Sequence, residues 1–393
     1  MQQGRTPRRQ RGQMLLVIGL TLPVLLGAVG VAVDLGFSYS HRREVQNAAD
    51  AAAQIGAEAL GLHVTYINMG ASGQNTLGLS SDPYPTGAAI YGAMQQAASN
   101  ALPPFPAPSG ATLPAGATLT TYYLDANQNA TAFDSGSGAV PASPNIPSGV
   151  RAVVSYNYPT FFIRMLSSAL ASTNVGAAAR AMLMNSGPGT SGGPFIVCGG
   201  GPNAGSGNGA VRTDSSGNPT GTIDNILTGT YPSLAINSTY VGNYYELHGP
   251  QLTKDGGGCG DGNQFKGLSD STACVPIAGA GSNGLPCSQG WLSGDRAGPT
   301  RDLVGALCGS NTNAGCILVL PVADCYSGGS CTGPINGDFR VVAYAPFIVA
   351  GGSNNNWGQL TSGVMVNGQS TGTVYNPNST GGGFFSAKLV PGS

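Results

Sequence analysis

Met14 to Val33 reads MLLVIGLTLPVLLGAVGVAV, twenty residues without a charge, and Asp34 ends the run. At about 1.5 Å of rise per residue such a helix is about 30 Å long, the thickness of a hydrocarbon core. Pro23 would break a soluble helix but is tolerated in a membrane-crossing one. Upstream lie Arg5, Arg8, Arg9 and Arg11 with no acid; the flank just after the span carries Arg42 and Arg43. That bias predicts a cytoplasmic N-terminus and an exported remainder. A cleaved leader is the rival reading, with Met14–Leu26 as its core and Ala28-Val29-Gly30 as a small-residue cleavage site. The continuation of the apolar run to Val33 favours retention as an anchor. Under either reading everything after Asp34 leaves the cytoplasm.

Working outward, Asp34 to Leu62 (DLGFSYSHRREVQNAADAAAQIGAEALGL) reads as the same helix carried onward. Val45, Ala48, Ala49, Ala52, Ile55, Ala59 and Leu62 fall on one face at three- and four-residue spacing. Arg42, Arg43, Gln46, Asp50 and Glu58 fall off it. A stripe made mostly of alanine permits close approach of another element rather than burial of large side chains. It serves either a stem packed on its own domain or a face for lateral assembly, and the sequence leaves both open. Span and stem together predict a helix of nearly 50 residues, about 73 Å long.

The composition fits an exported body. The 393 residues carry 16 basic and 17 acidic side chains, a net charge of −1, so nothing draws the chain toward nucleic acid. Charged residues are only 8% of the total, and 63 Gly and 27 Pro point to a loop-rich, β-rich surface. All eight cysteines lie in the second half: Cys198, Cys259, Cys274, Cys287, Cys308, Cys316, Cys325 and Cys331. An even number in an exported region predicts disulfides. The absence of C-x-x-C, with His248 the sole histidine of this half, argues against zinc. Short spacing suggests Cys308–Cys316 and Cys325–Cys331 as pairs, although connectivity cannot be read from sequence.

The N-terminal segment resembles the TadE/TadG family of the tight-adherence (Flp) pilus-assembly apparatus. The resemblance is carried by Arg11-Gly12-Gln13, Leu22-Pro23-Val24-Leu25-Leu26, Val33-Asp34-Leu35-Gly36 and the run from Arg42 to Ala53. It implies an inner-membrane or minor-pilin-like component whose partners are other pilus and secretion-system subunits, with self-assembly through the N-terminal helix as one route. On that reading Asp34, Arg42, Arg43, Glu44, Gln46, Asn47 and Asp50 are the assembly residues, Asp34 either ending the span or pairing with a partner's amine or arginine. A weaker likeness covers 150–184, where a strand, a Pro-Thr-Phe helix and an Ala-rich strand often follow. The prepilin-peptidase signature is not met, since the fifth residue after Gly12 is Val17. Nor is an Asp-x-Ser-x-Ser metal motif present: Asp134-Ser135-Gly136-Ser137 and Asp214-Ser215-Ser216 have the wrong spacing.

The fold class expected is α+β: residues 1–12 a basic tail, 13–33 a transmembrane helix, 34–63 an amphipathic stem, 64–185 a small α+β domain and 195–393 an antiparallel β-rich domain with disulfides. Residues 64–87 read as a loop or linker. Ala88–Leu102 reads as a helix, Leu119–Ala126 and Arg151–Tyr158 as strands, and Pro159–Ser168 as a short helix. Cys316–Ala323 and Phe339–Ala350 are further strands, the latter interrupted by Pro346, and Asn367-Gly368 after Val364-Met365-Val366 signals a hairpin.

Catalytic strings are weak. Gly189-Thr190-Ser191-Gly192-Gly193-Pro194 echoes a serine nucleophile loop, but His41 belongs to the stem, His63 to a loop-like stretch, and no βαβ pattern surrounds Ser191 for His248 to serve. Asp255, Asp261 and Asn263 could hold calcium through oxygen but read better as a solvated turn. Gly205–Gly209 lacks the strand and helix that a phosphate loop needs. The chain is read as a non-enzyme that needs no cofactor. The alternative to a pilus-assembly component is a surface adhesin whose 195–393 domain recognises an external ligand.

Overall fold

The computed structural model describes residues 10–76, 79–103, 113–131, 139–166, 171–186, 195–201, 209–230, 234–247, 265–268, 274–280, 284–293, 316–324, 338–351, 356–365, 370–378 and 384–391. Helix α1 runs from Gln10 to Thr76, with Pro23 inside it and one non-helical residue, Gly70 at φ 65°. By length and composition it can cross a membrane, and no other described helix can. Along the apolar stretch Met14, Val17, Leu20, Val24, Leu26 and Val29 are all more than half exposed, so protein does not surround this part, and it meets the body at the buried Gly30 near its end. The helix outruns the expected stem: 64–76, read as linker, is helical, and so is His63. Its Gly/Ser/Asn content weakens helix propensity, but Val64, Thr65 and Met69 are buried and hold the turns in place.

Beyond Asp34 the same helix becomes the centre of a core. Helix α2 (Gly87–Ala101) is capped by Thr86, whose hydroxyl accepts from Ala89 N–H, and Ile90, Met94 and Ala98 face inward. A seven-stranded sheet covers the other side of α1. In it β1 (Ala117–Leu124) pairs with the short β2 (Ala130–Thr131) and with β3 (Gly149–Pro159), and β3 pairs with β4 (Ser172–Ser186). The alanine stripe therefore lies between α2 and the sheet. Gly56 shows why the residues are small: a Cβ there would stand 2.7 Å from Met94 Sδ on α2 and 2.9 Å from Val150 Cγ2 on β3. Val45, Ala48, Ala49, Ala52, Ala53, Ala57, Leu60 and Val64 are all wholly buried. Of the face read from the sequence, Ile55 is half-buried and Leu62 is 42% exposed. With a partner on each side, the buried arc is broader than a single stripe and turned away from those two.

The chain then builds a ten-stranded sheet and returns. Its longest pair is Cys316–Asp324 against Asp338–Gly351, with Leu320 opposite Ala345. Asn356–Leu360, Tyr244–Glu246, Ala210–Thr213 and Pro219–Asp224 continue outward, while Val197–Gly200 pairs in parallel with Cys316–Asp324. Phe195, Leu320, Tyr245, Phe347 and Leu360 fill its core. Pro346 does not interrupt its strand. Its carbonyl accepts from Thr361 N–H, so the missing N–H faces the same side, where the neighbouring strand has ended at Leu360.

The last strands belong to the first sheet: Phe384–Val390 pairs antiparallel with β4, Ser370–Val374 also pairs with β4, and Val364–Met365 pairs in parallel with Phe384–Phe385. The flanks of Asn367-Gly368 thus pair with different strands rather than with each other, unlike the expected hairpin. The far end of α1 ties the halves together. Thr65 Oγ1 donates to Gly363 O at 2.7 Å and accepts from Met365 N–H, and Gly73 abuts Ile348 and Gln359 of the second sheet.

The architecture is α+β. Cys274 and Cys287 form a disulfide, and Cys198 is also disulfide-bonded. Cys316 lies on a strand, while Cys259, Cys308, Cys325 and Cys331 lie outside the described residues, so each pairing guessed from spacing has at least one partner there.

Candidate functional site

Asp34 sits where the apolar stretch ends, and its carboxylate is turned toward the body. Its Oδ1 accepts from Phe161 N–H at 3.0 Å, and its Oδ2 accepts from Phe162 N–H at 2.9 Å and Ile163 N–H at 2.7 Å. These donors open the single-turn helix α3 (Ile163–Leu166), whose first N–H groups have no partner within their own turn. Ordinarily a Ser, Thr or Asp immediately before the helix satisfies them. Here the chain reaches back 127 residues to α1 for the same chemistry. Burial pushes the Asp34 carboxyl upward, but the three N–H donors and nearby Arg164 more than offset this and hold it below the ordinary value.

The contact continues up the helix at alternating steps of three and four. The rings of Phe37 and Phe161 lie 5.6 Å apart. His41 stacks on Tyr158 with centroids 3.5 Å apart and planes 13° from parallel, and its Nδ1 is 2.8 Å from Glu44 Oε2. Burial, the Glu44 carboxylate and Tyr156 all push the Tyr158 hydroxyl above its usual range. Asp34, Phe37, His41 and Glu44 therefore form a polar and aromatic seam against β3 and α3, below the point where Val45 and Ala48 begin the dry core.

The seven assembly residues read from the sequence split between two faces. Asp34 and Glu44 turn inward. Arg42, Arg43, Gln46 and Asn47 are exposed on the outer side, and Asp50 is half-buried and accepts from Gln46 Nε2 at 2.8 Å. The Phe161–Ile163 segment, Phe37 and His41 were missed. The one local signal was the Pro159-Thr160-Phe161-Phe162 run, and nothing in it points to Asp34.

Other polar sites are structural in form. His63 Nδ1 is 2.5 Å from Asp82 Oδ2, and Asp82 Oδ1 also accepts from Tyr84 N–H, which fixes the loop leading into α2. Arg212 Nε donates to Asp224 Oδ2 at 2.7 Å, and the buried Tyr245 hydroxyl donates to the same oxygen. Asp324 faces Arg340 at 3.5 Å in the second sheet, and burial raises its carboxyl to about 6 despite that cation. Asp214 closes a hairpin, accepting from Ser216 and Asn218 N–H, rather than presenting a metal ligand.

Among the described residues no group of three or more His, Cys, Asp or Glu side chains could hold a metal ion. Ser191, His248, Asp255, Asp261, Asn263, Asp134 and most of Gly205–Gly209 lie outside the described residues.

A family model described as Flp pilus-assembly TadE/G-like matches residues 12–59. No curated protein and no solved structure gives a significant match. The matched segment begins beside the apolar stretch, includes Asp34 and every assembly residue named above, and ends within the buried alanine arc.

Proposed function

We propose that this chain is a membrane-anchored, extracytoplasmic component of a tight-adherence (Flp) pilus-assembly system, structural or minor-pilin-like rather than enzymatic. The supporting observation is that the family match at 12–59 coincides with the one element that is both lipid-compatible and built into the body's core. The helix holds the body at the bacterial inner membrane, with the basic tail in the cytoplasm and both sheets on the far side. Its outer face, with Arg42, Arg43, Gln46 and Asn47, is left for other pilus subunits or a second copy.

Affinity purification of the tagged full chain from detergent-solubilised membranes tests this reading. Recovery of pilus-assembly subunits, reduced by charge reversal at Arg42 and Arg43, is the expected result. A deletion strain that keeps its filaments but loses attachment would favour an adhesin instead. A deletion with no effect on either overturns both readings.

A further inference from the structure

Phe161 and Phe162 are aromatic, adjacent and respectively 52% and 46% exposed, which is unusual for residues held so firmly by their backbone. Their height along α1 is fixed by a close contact. A Cβ at Gly30 would stand 2.9 Å from Phe162 Cβ, so Phe162 fits against the helix because residue 30 has no side chain. Gly30 is one turn before Asp34, about 6 Å back along the axis, and inside the apolar stretch. The loop from the body thus reaches past the end of that stretch. Phe37 (48% exposed) and Tyr39 (77% exposed) ring the helix just above, on nearly opposite sides.

We propose that Phe161 and Phe162 form a second membrane contact, seated at the headgroup–acyl boundary of the leaflet through which α1 leaves the bilayer. This rests on the reading that α1 spans the membrane. Three observations select lipid as the occupant. The exposed aromatics are continuous with the exposed apolar stretch, and Phe is among the residues that interfacial segments bury at the headgroup–acyl boundary. The backbone is prepared for a dry setting: Thr160 N–H donates to Ala171 O, and Asp34 takes the N–H groups of residues 161, 162 and 163. Orphan donors at that depth would be costly, and none remains in this run. Arg164, two residues after Phe162, is exposed and offers a cation to anionic headgroups. The pair would fix the tilt and rotation of the body over the membrane, which a single helix cannot do.

The test introduces Phe161→Trp, and separately Phe162→Trp, into the full chain. Each variant is reconstituted in vesicles of phosphatidylethanolamine and phosphatidylglycerol carrying a spin label near the headgroup or at the acyl-chain end. The unsubstituted chain supplies the background from Trp291 and Trp357. The expected result is added tryptophan emission that is blue-shifted and quenched more strongly by the shallow label than by the deep one. Red-shifted, unquenched emission from protein that floats with the vesicles overturns the proposal and leaves the anchor intact. Blue-shifted emission that neither label quenches places protein against these rings and also overturns it. Protein that fails to float overturns the anchor reading itself.

Discussion

Leu60 and Leu62 lie two residues apart on α1 and should respond very differently to truncation. Leu60 is 0% exposed in the core shared by α2 and the first sheet, whereas Leu62 is 42% exposed. Leu60→Ala removes three carbons from that core, roughly 2.4 kcal/mol of transfer at about 0.8 kcal/mol each. The enclosed cavity raises the cost to about 3–5 kcal/mol. For a cooperative unit of roughly 150–250 residues this lowers the melting temperature by about 6–20 °C. Leu62→Ala forfeits only the buried share of the transfer and leaves no enclosed cavity, about 1.4 kcal/mol at most. The assay is thermal unfolding of the detergent-solubilised full chain, followed by near-ultraviolet circular dichroism so that tyrosine packing rather than the lipid-compatible helix is read. Equal costs, or a larger cost at Leu62, would mean that the buried face of the stem is turned the other way. The alanine arc would then be free for lateral assembly.

Three further outcomes follow from particular residues. Gln128 is the one described non-glycine residue at positive φ, 66°, so Gln128→Gly should stabilise the chain by about 1 kcal/mol; an unchanged or lower melting point contradicts this. Asp324 has a carboxyl raised to about 6 in the fold. The stability it contributes is therefore fully present below the unfolded value near 4 and lost as pH rises through 6. The gap between wild type and Asp324→Asn should shift by about 2–3 kcal/mol between pH ~4 and pH ~7, wild type losing ground as pH rises, whereas parallel pH profiles would reject the raised value. Asp34→Ala removes the acceptor for three backbone donors next to the exposed Arg164, so limited trypsin digestion should cut after Arg164 several-fold faster than in wild type. Equal rates would mean that the loop does not depend on this carboxylate.

What the sequence disclosed was mainly local. The apolar run to Val33, the alanine stripe, the Thr86-capped helix and the strands of β1 and β3 depend on periodicity and flanking residues, and each lies close to its expected position. Contacts that cross long separations were hidden. Asp34 looks like a residue that merely ends a span, because its partners are 127 to 129 positions away. The return of Phe384–Val390 to β4 carries no local mark, since a strand's composition does not name its neighbour. Pro346 suggested an interruption because the sequence cannot reveal that the adjacent strand stops short of it. Ile55 and Leu62 matched one helical face, but α1 is packed on two sides and its buried arc follows neither ideal stripe. Of the assembly residues, the outward position of Arg42, Arg43, Gln46 and Asn47 agrees with their polarity, whereas the inward turn of Glu44 toward His41 and Tyr158 does not follow from it.

The most direct test of an anchored, exported body is alkaline phosphatase, which is active only outside the cytoplasm, fused to the C-terminus of the full chain. Cells would be fractionated and the membranes washed with carbonate. The account predicts an active phosphatase that stays with the washed membranes. An inactive fusion, or activity released to the soluble fraction, contradicts it.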